Sequence, residues 1–446
     1  MATAHIYLDY NATAPVRSAA FDAACEAMKI GANPSSVHGP GRSARALVNR
    51  AREQVAALVG ARPGSVVFTS GGTEANALAL LGAIEAGLVN RLIVSAIEHD
   101  SVLETAKLAR LRGAAVDIVK VQTDGQIDLD DLERLLSSNP PSPWEGDRGK
   151  DGNKLGRSLQ IRHPNPPPEG EGIRAAEGRA LVSVMAANNE TGVIQPLADV
   201  VALVRKYGAL VHTDAVQIVG RLPFDAGALD FVTLSAHKLG GIAGAGALIA
   251  RDGLAIAPLY GGGRQEIGRR PGTEPLAAIA AFGAAATEAA NELSLGRTHE
   301  RWRNAMEGRL KLAMPELKLF GDDSPRLPQT SCIGLVGTKP ETQVIAMDLA
   351  GFAVSAGAAC SSGKVRASHV LGAMGASGEE AACAIRISFG WATREDELYR
   401  LADAWITQLK RSLMLRQAQH EETENETTAS LISSLSKDED HRVGAA

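Results

Sequence analysis

Residues 65–80 read SVVFTSGGTEANALAL, and the order of residue types in that stretch decides the fold. An apolar run, Val66 to Thr69, passes through Ser70-Gly71-Gly72-Thr73 into an amphipathic stretch with helical spacing. The same alternation continues outward from about residue 15 to residue 262. Helix-period segments such as ARALVNRAREQVAALVG and EHDSVLETAKLARLRG alternate with the short apolar runs RLIVSA, RALVSVMAA, GALVHTDA, DFVTLSA and GALIA. Strands buried on both faces of a parallel sheet read as continuous apolar runs, and the helices between them read as crossovers. The expected fold is α/β, with a large, doubly wound, mostly parallel sheet domain spanning 15–262.

After Gly261-Gly262-Gly263 an Ala-rich helix (about 276–293) and a charged helix (about 298–312) lead into TSCIGLVG, ETQVIAMDLAGFAVSAG and AIRISFG. That order suggests a smaller α+β domain over 263–415, with the N-terminal segment 1–14 packed on it. Two segments do not read as packed structure. Residues 137–179 are rich in Pro, Gly and charge without a sustained period, and the tail 416–446 is polar and acidic. Such compositions bury too little apolar surface to offset their ordering entropy, so both are expected to be disordered. An insert between a helix and a strand costs little, because loop-closure entropy grows only logarithmically with length. A partner-docking arm is the alternative reading of 137–179.

The 446 residues are 45% apolar, enough for a full core. A net charge of −5 gives no basic surplus for a nucleic-acid partner. No stretch approaches the roughly 18 apolar residues of a membrane span, and MATAHIYLDY lacks a secretory pattern, so a cytoplasmic location is expected. The four cysteines, Cys25, Cys332, Cys360 and Cys383, include no C-x-x-C pair, which suggests neither a zinc site nor a disulfide framework.

Three elements carry chemistry. The Ser70–Thr73 turn, opening a helix, can seat a phosphate: glycines let backbone approach an anion, and free N–H groups at a helix start point toward it. A plain strand-to-helix turn is the other reading. In ALVHTDAVQIVG a strand delivers Asp214 and Gln217 to its C-terminal end, where open α/β sheets bind ligands. There Asp214 is either a helix cap or a carboxylate partner for a protonated ring nitrogen. In FVTLSAHKLGG, Lys238 stands among apolar and small residues. A desolvated lysine has a lowered pKa that suits Schiff-base formation. Ser235 and His237 flank it where they could bond a phosphate.

TSGGTEAN, EHDSVL, NNETG, TDAVQ, SAHKLGG, GGGRQE, RRPGTEP, SAGAACSSG and IRISFG, in that order, closely resemble the cysteine desulfurases, in the aminotransferase class V group of fold-type I pyridoxal 5′-phosphate (PLP) enzymes. The resemblance covers Tyr7 to about Leu409 except the 137–179 segment. It implies PLP held as a Schiff base on Lys238, Asp214 on the pyridine nitrogen, and Asn189 and Gln217 on the phenolic oxygen. Gly72, Thr73, Ser235 and His237 would hold the phosphate, joined by Thr273 of the partner subunit in a homodimer. His99 would stack on the ring and assist proton transfers. Asn33 and Arg386 would bind the substrate carboxylate, a task that suits the arginine fork.

Cys360, in the small-residue run AVSAGAACSSGK, would take sulfur from L-cysteine as a persulfide and pass it on. That task calls for a mobile loop and a thiolate. The implied activity converts L-cysteine to L-alanine, with the sulfur going to an acceptor such as an iron-sulfur scaffold protein. No metal is expected. The alternatives are an aminotransferase or selenocysteine lyase on the same scaffold, from which the Cys360 loop discriminates because simple transamination does not need it, and a silent binding scaffold, against which the intact set Lys238, Asp214, His99 and Cys360 argues.

Overall fold

The computed structural model describes residues 5–138, 179–357 and 367–411. Most of the 137–179 segment, the whole 416–446 tail and Cys360 lie outside the described residues. The first part of the chain runs β1 (Ile6–Tyr7), α1 (Ser18–Ile30), α2 (Gly39–Leu58), β2 (Val66–Thr69), α3 (Gly72–Glu85), β3 (Arg91–Ser95), α4 (Asp100–Leu111), β4 (Ala115–Val119) and α5 (Leu129–Ser137). Then come β5 (Ala180–Ser183), α6 (Leu197–Lys206), β6 (Leu210–Asp214), β7 (Phe231–Ser235) and β8 (Gly246–Ala250). The remainder comprises α7 (Leu276–Asn291), α8 (Leu295–Ala313), β9 (Lys318–Leu319), β10 (Thr330–Gly334), α9 (Pro340–Leu349), β11 (Phe352–Ala353), β12 (Ser355–Ala356), α10 (His369–Ala373), α11 (Gly378–Ala381), β13 (Ala384–Ser388) and a final helix α12 (395–411).

Seven strands form the main sheet in the order β2-β8-β7-β6-β5-β3-β4. All neighbours are parallel except β8, which runs antiparallel to both β2 and β7. Every residue of β2, β3, β5, β6, β7 and β8 is buried, so these strands carry apolar residues toward both faces instead of alternating with polar ones. On one face Val66, Phe68, Val182, Val211 and Val232 meet α1, α2 and α7; on the other Val67, Leu181, Leu210 and Phe231 meet α3 and α4. From β3 the chain goes to β4 on one side and returns as β5 on the other. This reversal opens a crevice at the carboxyl ends of the strands.

The second sheet, β12-β13-β10-β9, is antiparallel and buries Ile333, Ile385 and Ile387 with Met306, Leu310, Leu401 and Trp405. Near the N-terminus β1 pairs in parallel with β11, and Leu8 joins this second core.

One expectation is corrected. The Ala-rich helix α7, assigned from the glycine break to the smaller domain, packs on α1 and α2 against the main sheet. Its Phe282 meets Phe68 edge-on at 6.3 Å, and a Cβ at Gly283 would lie 2.6 Å from Ala51 Cα. Small residues let the two helix backbones close to contact distance, which is what the alanine content serves; truncating Phe282 would cost about 3–5 kcal/mol.

Candidate active site

Nine of the expected residues line one cavity of about 250 Å³ at the carboxyl ends of the central strands: Gly72, Thr73, His99, Asn189, Asp214, Gln217, Ser235, His237 and Lys238. Asn76, Ser101, Met185 and Val216 complete its wall.

The anion seat is built from close backbone approach. Helix α3 begins at Gly72 with no side chain capping its first turn, so its leading N–H groups are left for a ligand. A Cβ at Gly72 would stand 3.3 Å from Val216 Cγ2 and 3.5 Å from Ser235 Cβ. A Cβ at Gly246 would fall 2.5 Å from the Gly71 carbonyl carbon, so only glycine lets β8 and this turn meet. Ser235 is 3% exposed, and among the described residues its Oγ has no hydrogen-bond partner. A buried hydroxyl without a partner is costly, and an anion is the partner this environment suits.

Lys238 lies just beyond the end of β7, beneath the N-terminal segment that crosses the site. That segment is fastened by Ala14 N–H to the His237 carbonyl (2.9 Å) and Arg17 N–H to the Gly240 carbonyl (2.8 Å). Gly240 has φ +85°, and a Cβ there would run into Arg17 and Trp391. Lys238 Nζ donates to the carbonyls of Asn11 (2.5 Å) and Ala12 (2.8 Å). Burial, then Arg386 and Arg221, pulls its pKa from 10.5 down to about 7. A neutral amine has two N–H groups and one lone pair. The two carbonyls take the N–H groups, which leaves the lone pair for an electrophile.

Asp214, at the end of β6, accepts from Val216 N–H at Oδ1 (3.0 Å) and from Asn76 Nδ2 at Oδ2 (2.8 Å). Asn76 also donates to Ser101 Oγ (2.8 Å). His99 caps α4: its Nδ1 accepts from Ser101 N–H (3.1 Å). A backbone N–H only donates, so in the neutral ring the proton sits on Nε2. His237 is held neutral, its pKa pulled to about 4 by burial and by Lys238, with Nδ1 2.8 Å from Thr13 Oγ1. Glu98, fully buried behind the cavity, accepts from Met185 N–H (2.6 Å), and burial pushes its pKa well above the carboxylate range.

Arg386, on β13 of the second sheet, donates to Asp9 Oδ1 (2.7 Å) and the Asn189 carbonyl (3.0 Å). It does not line the cavity wall, but its charge reaches Lys238. Asn33 and Thr273 are not brought to the cavity within the single chain. Asn33 is exposed on the α1–α2 loop with Oδ1 accepting from Ser35 N–H (2.8 Å), and Thr273 is exposed before α7. Of the three described cysteines, Cys332 is fully buried and its thiol pKa is pushed up by burial, and Cys383 is buried with Sγ donating to the Glu380 carbonyl. Cys25 is half-buried on α1.

Sequence reading missed Asn11, Asn76, Glu98 and Arg221. Asn76 follows the Gly72 turn by one helical turn, and Glu98 precedes His99; those positions were the available signals.

The Aminotransferase class-V family profile matches residues 6–141 and 173–401. A cysteine desulfurase of Cereibacter sphaeroides is 36% identical over 408 residues, which cover 89% of this chain and 94% of that protein. Among solved structures, a NifS-like protein from Rickettsia africae aligns with a TM-score of 0.74 at 31% identity, covering 90% of this chain and 98% of the other. SspA, solved in complex with cysteine, aligns at 0.66 and 27% identity, covering 86% and 98%. The chain is an aminotransferase class V protein of the α/β, fold-type I architecture. Within that class it belongs to the cysteine desulfurases.

Proposed function

We propose that this chain is a PLP-dependent cysteine desulfurase that converts L-cysteine to L-alanine and carries the released sulfur as a persulfide on Cys360. The observation that carries the reading is Lys238: an amine with a free lone pair and a pKa near 7 in the same cavity as an uncapped helix start and an orphaned Ser235 hydroxyl. Those groups fit an aldehyde cofactor with a phosphate. In this reading Lys238 tethers PLP, Gly72, Thr73, Ser235 and His237 hold its phosphate, Asp214 faces its ring nitrogen, and Asn189 and Gln217 face its phenolic oxygen.

When bound, PLP supplies the electron sink that lets a Cα–H bond of the amino acid ionise. The protein supplies position and charge. The Arg386 fork takes the substrate carboxylate and so aims Cα at Lys238. Once displaced, Lys238 Nζ is neutral and accepts a proton. His99 Nε2–H donates toward the developing negative charge. Cys360 thiolate attacks the substrate sulfur: an S–S bond forms, the C–S bond breaks, and the carbon fragment takes up a proton to leave as alanine. One cysteine and one enzyme thiol thus become one alanine and one persulfide.

The reading extends to a homodimer, in which Thr273 of the partner subunit completes the phosphate site, acting in the cytoplasm and passing sulfur to an acceptor such as an iron-sulfur scaffold protein. The named relatives, one of them solved with cysteine, support the substrate. Among the described residues no helix is long and apolar enough to cross a membrane.

The test is to incubate the full chain with L-cysteine and measure alanine and enzyme-bound persulfide by mass spectrometry. The wild type should form both, with persulfide on the Cys360 peptide, and Lys238→Ala neither. Alanine formation by Lys238→Ala at the wild-type rate would end this reading.

A further inference from the structure

Arg221 sits behind Lys238, in the turn that follows β6, and every hydrogen bond it makes ends on a neutral oxygen. Nη1 donates to Asn11 Oδ1 (2.8 Å), the Gln217 carbonyl (3.0 Å) and Gln217 Oε1 (2.7 Å), and Nη2 to the Tyr10 carbonyl (3.3 Å). Gln329, with its amide oxygen turned to the guanidinium, accepts from Nη1 (3.0 Å) and Nε (3.1 Å). Among the described residues no carboxylate pairs with it. Arg386, by contrast, is paired with Asp9 at 2.7 Å.

A guanidinium has donors only, so each group that meets it must present an oxygen. With Gln217 Oε1 on Arg221, Nε2 lies on the other side of that amide. One of its hydrogens goes to the Asn11 carbonyl (3.0 Å) and the second is left for the cavity that Gln217 lines. Asn11 is ordered in the same way. Its Oδ1 faces Arg221, its Nδ2 donates to the Asn189 carbonyl (3.1 Å) and Thr330 Oγ1 (3.0 Å), and its main-chain carbonyl receives Lys238 Nζ.

We propose that Arg221 is a positioning residue for the Lys238 chemistry, orienting the Gln217 and Asn11 amides and directing an unneutralised positive charge at the Lys238 amine. The inference rests on the reading of the cavity as the PLP site of a cysteine desulfurase. The charges around Nζ support it: burial, Arg386 and Arg221 favour the neutral amine, while Asp214 and Asp9 oppose it. His237 and His299, both pulled to about 4, add no charge at neutral pH. A substrate carboxylate on Arg386, which Asp9 already pairs, would remove what remains of that residue's positive field at Lys238. Arg221 then becomes the cation that keeps Lys238 ready to accept a proton while substrate is bound.

The test compares full-length wild type with Arg221→Met, Arg221→Gln and Arg221→Lys. Bound cofactor is displaced with hydroxylamine, and the pH dependence of reductive methylation of Lys238 by formaldehyde is followed by peptide mass spectrometry. Exposed Lys107 serves as the internal reference. The wild-type midpoint should lie near 7. Arg221→Met and Arg221→Gln should raise it by about one pH unit, which makes labelling at pH 7 roughly fivefold slower, and Arg221→Lys should restore it. An unchanged midpoint in both neutral variants overturns the proposal. So does failure of both to fold while Arg221→Lys folds, because Arg221 would then be a structural cation only. The underlying reading is tested separately by adding PLP to wild type and reducing with borohydride. No pyridoxyl group on Lys238 sinks the PLP site, whereas a label there with an unmoved midpoint sinks only the role of Arg221.

Discussion

Replacing Ser235 by alanine should move two measurable quantities in opposite directions. In the protein without cofactor the Ser235 hydroxyl is buried at 3% exposure and has no partner among the described residues, so its removal relieves a desolvation penalty of about 1–3 kcal/mol. The hydroxyl-sized vacancy is small, because the alanine Cβ keeps the place that sits 3.5 Å from a Cβ built on Gly72. With phosphate bound the same hydroxyl would donate to an anion, an interaction worth about 1.5–3 kcal/mol, so its loss should weaken PLP binding roughly 10- to 150-fold. Denaturant unfolding of the cofactor-free proteins reads the first quantity, and titration of PLP followed by absorbance reads the second. The variant should unfold at higher denaturant and bind more weakly. A Kd within twofold of wild type, or a cofactor-free variant less stable than wild type, would refute the assignment of Ser235 to an anion seat.

Lys238 has a lowered native pKa, so between about 7 and its unfolded value of 10.5 the unfolded chain binds the extra proton. Stability of the cofactor-free protein should therefore rise with pH through that window, and Lys238→Met should lose that part of the slope in urea midpoints measured from pH 7 to 10. Glu98 has the opposite linkage: its native pKa is raised, so from the unfolded value near 4.5 upward the unfolded chain loses a proton that the native state keeps. Glu98→Gln should be more stable than wild type at pH 7 and show less decline above pH 4.5; equal pH profiles would discard the buried-acid assignment. Arg386→Ala should raise the KM for cysteine more than tenfold, because a carboxylate fork is lost; an unchanged KM assigns the carboxylate elsewhere. Cys360→Ser should retain PLP, seen as unchanged cofactor absorbance, and form no persulfide. Sulfur release at the wild-type rate would point to another thiol.

What could be read directly from the residues was whatever depends on near neighbours in the chain. Continuous apolar runs alternating with helical periods specified the parallel sheet, because burial on both faces leaves no room for polar alternation. The lysine in SAHKLGG stood out because amines are rarely surrounded by apolar residues without a use. The turn at Gly71-Gly72 allowed by its composition a close backbone approach to an anion, but read equally as a plain strand-to-helix turn. The helix α7 was misplaced because alanine content reports that a helix packs tightly but not against which surface.

Only the tertiary structure decided which polar groups face one another. Asn11 is 227 residues from Lys238 and Asp9 is 377 from Arg386, yet their hydrogen bonds set the electrostatics of the site. No local pattern predicts such pairs, because a hydrogen bond needs about 3 Å of approach through space and is indifferent to distance along the chain. Asn76, Glu98 and Arg221 each read as an unremarkable polar residue until the two sheets and the N-terminal segment close around them and remove the water. The same enclosure that hides them from sequence analysis lowers the dielectric around Lys238 and pulls its pKa from 10.5 down to about 7.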